Sequence, residues 1–156
     1  MRVVLLVGVI LLAGCQLAFH QDYPGEDAAT LVFTSDDLPA QPVICVPGEG
    51  FRDTRIAVGR GGMKILDDLN EAMKKATEVT VQVAASDRVV AGFRYREGAR
   101  AGDKQRCRTA HAFQAEPGAT YQLMLGKGDD CPLTVHLAGE DGWQPHPSQP
   151  TDWTCP

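Results

Sequence analysis

Five cysteines, four histidines and three serines are the side chains of this 156-residue chain best suited to nucleophilic or metal chemistry. Their spacing argues against most of it. Zinc sites favour close pairs such as C-x-x-C, and Cys45, Cys107, Cys131 and Cys155 stand far apart. No metal or other cofactor is therefore expected. A serine nucleophile needs a histidine base and a supporting acid. Ser35, Ser86 and Ser148 all lie outside a G-x-S-x-G elbow. His111 shares strand parity with Phe113 and is expected to face the core, whereas His136 opposes Val135 and Leu137 and is expected to face outward. His20 and His146 fall in segments of little regular pattern. Acids are plentiful, but no pair of them marks a glycosidase cleft. "GRGGMK" at Gly59–Lys64 lacks the spacing and the Ser or Thr of a P-loop.

The fifth cysteine has a different setting. Arg2 is the only charge before Asp22, and Val3–Ala13 is an unbroken run of apolar and small residues. Spanning a bilayer takes roughly 20 such residues. A positive start, a short apolar run and small residues at its end read as a secretory signal. Leu12-Ala13-Gly14-Cys15 resembles the lipobox of bacterial lipoproteins. In that family the thiol receives a diacylglycerol, the signal is cut before the cysteine, and the new amine is often acylated, commonly with palmitate. The resemblance makes Cys15 a lipidation site. Several acyl chains make a stable anchor where one alone is marginal. In the same family an Asp after the cysteine retains the protein in the inner membrane. Gln16 stands there, which implies the outer membrane of a Gram-negative cell, with the body facing the periplasm.

Setting Cys15 aside leaves Cys45, Cys107, Cys131 and Cys155, an even set in an oxidising compartment. Two disulfides are expected, with three pairings open. Cleavage before Cys15 would leave 156 less 14, or 142, residues, and loss of Arg2 would take the net charge from −5 to −6. One domain of this size can bury a proper core. The acidic balance argues against nucleic acid, whose binders carry a basic excess.

The elements that would position any site are mostly strands. Ala28–Ser35, Pro42–Val46 and Thr54–Val58 are short β-branched runs bounded by Pro, Gly or Asp. Val79–Ala85 alternates, with Val79, Val81 and Val83 on one face. Val89–Glu97 repeats the pattern, with Val89, Ala91, Phe93 and Tyr95 inward and Arg94 and Arg96 outward. Ser86-Asp87 is the expected tight link of a hairpin between these two strands. Arg108–Ala115 and Thr120–Leu125 read as a second hairpin, with Pro117-Gly118 as a type II turn. Pro132–Ala138 continues it as a meander. Ile65, Leu69 and Met73 have helical spacing, so one short helix is expected near residues 65–76. The fold class is mainly β: a small antiparallel β-sandwich of about seven or eight strands with that helix. The expected order is a signal peptide over 1–14, an acylated tether over 15–27, the sandwich over 28–138, and a Pro/Trp-rich tail over 139–156 pinned by a disulfide. Such a body is similar to small β-sandwich lipoproteins of the cell envelope, a likeness of shape that implies no activity.

One surface stands out. Arg94, Arg96, Arg100, Lys104, Arg106 and Arg108 face only Glu97 and Asp103 over a fifteen-residue stretch. The long connection within it suits a binding role, for lipopolysaccharide phosphates, peptidoglycan carboxylates or an acidic protein. The function expected is a non-enzymatic envelope lipoprotein, held to the membrane by its lipid and binding another envelope protein or polymer. The alternatives are an accessory or assembly lipoprotein of a secretion or transport machine, an inhibitor of a wall-degrading enzyme, or a hydrolase without a familiar motif.

Overall fold

The computed structural model describes residues 19–36, 39–59, 75–96, 106–128 and 130–156. The strands follow the alternation of side chains. In β1 (Ala28–Ser35) Ala29, Leu31 and Phe33 are buried; in β6 (Glu78–Ala84) Val79, Val81 and Val83 are buried while Glu78, Thr80 and Gln82 are exposed. β9 (Thr120–Leu125), β10 (Leu133–Gly139) and β11 (Gly142–Pro145) complete one sheet, ordered β11-β10-β9-β1-β6. The second sheet runs β12-β8-β7-β2-β4-β5. Its members are β2 (Ala40–Val46), β4 (Ala57–Val58), β5 (Lys75–Ala76), β7 (Ser86–Arg96), β8 (Arg106–Ala115) and β12 (Gln149–Pro150), and β3 (Gly50–Asp53) pairs with β2 beside this path. Neighbours are antiparallel except β1 with β9 and β4 with β5.

The sheets close on one another face to face as a β-sandwich. Phe33 from one meets Phe93 from the other edge-on, ring centres 5.4 Å apart, and Phe113 meets Tyr121 at 5.4 Å. Leu31, Leu123, Leu125 and Val135 fill the layer from one side, and Ile44, Val89, Ala91 and Ala115 from the other. A smaller apolar cluster lies on the outer face of the second sheet. There Val90, Ala110 and Ala112 are covered by Phe51 and Trp153, whose rings stack at 4.4 Å.

Neither expected hairpin forms. β6 pairs with β1, whereas β7 pairs with β2 and β8, so the chain passes from one sheet to the other at Ala85. β8 and β9 likewise belong to different sheets. The turn at Pro117-Gly118 is real: Ala119 N–H donates to Glu116 O at 3.2 Å and Gly118 has φ 76°. It carries the chain between layers. Both crossings fasten to the start of β1, through Ala85 N–H to Asp27 O (3.1 Å) and Gly118 N–H to Ala28 O (2.8 Å). Alternation fixes which face of a strand is apolar, and a crossing satisfies that pattern as well as a hairpin does.

Three further expectations change. Of Thr54–Val58 only Ala57–Val58 is strand, because the chain bends at buried Thr54, whose hydroxyl donates to Ile56 O at 2.7 Å. β3 is an element without a clear β-branched signal. The helix near 65–76 falls largely outside the described residues, and its last two positions, Lys75 and Ala76, form β5 instead. Residues 139–156 add a strand to each sheet, β11 on β10 and β12 on β8.

Candidate functional site

The basic stretch lies on the two longest strands. β7 and β8 pair so that Arg94 stands opposite Arg108 and Arg96 opposite Arg106. Like charges directly opposite one another in a sheet are destabilising, and at the Arg94–Arg108 level each guanidinium has its own partner. The Arg94 guanidinium pairs with the Asp53 carboxylate of β3. Burial pushes the Asp53 carboxyl above its ordinary value, and Arg94 beside it pulls the other way without cancelling that push. The Arg108 guanidinium carbon lies 5.9 Å from the Trp153 ring centre, a cation–π contact. Arg94 and Arg108 are both exposed. Residues 97–105, which hold Arg100 and Lys104, lie outside the described residues, as does Cys15.

The four remaining cysteines pair as Cys45–Cys155 and Cys107–Cys131, with Cα separations of 5.4 and 6.0 Å. The first closes 110 residues and holds the segment carrying Trp153 over the outer face of the second sheet. The second links β8 in one sheet to the turn that leads into β10 in the other.

The histidines are spread over separate places. His111 Nδ1 and Ser148 Oγ are 2.8 Å apart, a contact that spacing along the chain did not foretell. Burial alone pushes the His111 pKa down, with no carboxylate contributing. Among the described residues no carboxylate acts on this ring as the third member of a hydrolytic triad would. Beside it Thr151 N–H donates to Ala110 O at 2.9 Å, and the Ser148 contact serves the same purpose of fastening β12. His146 packs edge-on against Phe113 and Tyr121 and reaches Gln114 O through Nε2 at 3.0 Å. His136 is half-buried. Among the described residues no three of His, Cys, Asp and Glu are grouped to hold a metal.

Sequence reading gave no hint of a cavity where the sheets part. Residues 19–24 form a strap from the edge of one sheet to the edge of the other. At one end Phe19 bridges to Asp53, and His20 N–H donates to Asp53 O at 2.8 Å. At the other, Tyr23 N–H donates to Gln82 O (3.0 Å) and Gln82 N–H to Asp22 Oδ1 (2.9 Å). Beneath the strap is a cavity of about 590 Å³. Its walls are the end of β2 from Ile44, the crossing from Val83 to Val90, and Pro156, which accepts a hydrogen bond from Gly48 N–H at 3.1 Å. The exposed surface of the lining is mainly apolar, and Asp22, Glu49, Arg52 and Arg88 bring charges of both signs to it. His20 Nε2 faces Gln82 O at 2.9 Å; Arg52 Nη2 donates to Glu49 Oε2 at 3.1 Å, while His20 Nδ1 and Arg52 Nε, shielded from water, meet no partner among the described residues.

Compared with known proteins, the chain matches no family model, no curated protein and no solved structure.

Proposed function

We propose that this chain is a non-enzymatic lipoprotein of the cell envelope, anchored through Cys15 in the outer membrane and facing the periplasm, that binds an anionic envelope protein or polymer through the β7–β8 arginines. The observation that carries the binding role is the register of Arg94 with Arg108 and Arg96 with Arg106. An acidic chain of net charge −5 sets four arginines in register at one end of one strand pair, an arrangement that needs Asp53 and Trp153 to offset Arg94 and Arg108. A sequence that breaks a local rule in this way commonly does so for function. Arg100 and Lys104 in the connection add to the same charge. The lipobox residues Leu12–Cys15 and the two disulfides support an oxidising address outside the cytoplasm. The membrane is the first partner, through the lipid; the anionic ligand is the second.

The test is crosslinking in intact cells followed by identification of what is captured. Reversing charge at Arg96, Arg100 and Lys104 is expected to abolish capture of an anionic partner, with the effect fading as salt rises. Capture that is indifferent to all three reversals would refute the binding surface.

A further inference from the structure

We infer that the cavity beneath the strap receives one acyl chain of the lipid on Cys15. This rests on the proposal above that Cys15 is acylated. Phe19, the first described residue, itself lines the cavity. Cys15 is four residues earlier, and four residues reach at most about 14 Å. Any lipid on Cys15 is thereby held at the cavity's margin, at a high local concentration that a free ligand lacks.

The cavity has the chemistry for such a guest. Its volume of about 590 Å³ falls within the range of roughly 300–1,000 Å³ typical of sites for small organic ligands. Filled with water it would hold about 20 molecules at ~30 Å³ each, many of them against the apolar surface of Phe19, Val46, Pro47 and Ala84, which offers no side-chain hydrogen bonds. A flexible hydrocarbon chain fits those walls better. The ester or amide carbonyl at its head would supply the acceptor that Arg52 Nε lacks. With one chain housed in the protein, the others on Cys15 remain free for the bilayer. The housed chain is sheltered from water whenever the lipid leaves a membrane.

The experiment uses the full-length chain made in cells fed a palmitate analogue with a terminal diazirine. Irradiation and peptide mapping are expected to place crosslinks on Val46–Pro47, Val83–Ala84 or Val89–Val90. Ala84→Trp, at an exposed position on the cavity wall, is expected to reduce them to background while Cys15 keeps its label. Label on Cys15 with no cavity crosslinks overturns the inference and leaves the anchor standing. An unlabelled Cys15 overturns the anchor and the inference together. Undiminished cavity crosslinks in Cys15→Ala would assign the site to free membrane lipid and overturn the occupant named here.

Discussion

Cys45 and Cys155 are joined across 110 residues, so β2 near the start of the sandwich is covalently tied to the segment that ends it. The bond sits where Trp153 covers the outer face of the second sheet and where Pro156 walls the cavity. In the chain-entropy account a loop of about 100 residues is worth about 4.7 kcal/mol, against about 3 for one of 15. Replacing both Cys45 and Cys155 by Ser is expected to destabilise the chain more than replacing Cys107 and Cys131, whose bond closes only 24 residues. Equilibrium urea denaturation of the two double variants decides the order.

Gly92 lies mid-strand in β7 opposite Ala110. A Cβ there would stand 2.0 Å from Thr109 O and 2.5 Å from Ala110 Cα, both backbone atoms. Gly92→Ala is expected to force β7 and β8 apart at a cost of about 1–3 kcal/mol. A thermal melt reads it directly. An unchanged midpoint would mean that the two strands yield freely.

The burial of His111 predicts a pH dependence. Burial lowers the folded pKa of His111 below its ordinary 6.5. Between those values the unfolded chain binds a proton that the folded chain does not. Stability therefore falls as pH drops through 6.5 towards the folded pKa, and is flat below it. His111→Gln is expected to lessen the loss measured by denaturation at pH 7.5 and 5.5. Both chains are otherwise identical, so the difference belongs to position 111.

Cys15→Ala tests the anchor. If Cys15 carries the lipid, the variant accumulates as a heavier, unacylated precursor, and the wild-type chain shows an acyl mass on its first mature residue. Mass spectrometry of the membrane fraction checks both. Cleavage of the variant at the same bond would sink the lipobox reading.

Trp153 and Phe51 stack over Val90, Ala110 and Ala112 at the level of the Arg108 contact. Trp153→Ala is expected to expose that outer face and loosen Arg108. The loss is about 2 kcal/mol, short of the 3–5 found when a fully buried aromatic is truncated. Limited proteolysis after residue 145 should quicken in step with it.

Most strands were legible in the residues, because burial on one face writes a period of two into the chain. Val79, Val81 and Val83 show it most plainly. So was the oxidised state of Cys45, Cys107, Cys131 and Cys155, though not its pairing. β3 was not legible, since Gly50–Asp53 lacks a β-branched residue and is half-buried throughout. Lys75 and Ala76 form a strand through pairing with Ala57 and Val58, a contact that helical spacing cannot register. The cavity left no trace in any pattern. It exists only because residues 19–24 reach two sheet edges that stand far apart in the chain.

The residue pattern on its own established the β class and the arginine-rich stretch, both of which are properties of near neighbours. Tertiary structure alone decided that the chain changes sheets at Ala85 and at Pro117-Gly118, that Cys45 bonds Cys155, and that His111 meets Ser148. The physical reason is common to all three. Alternation says which side of a strand is apolar, but every buried face would accept several partners. The choice among them is made only by packing the whole set at once.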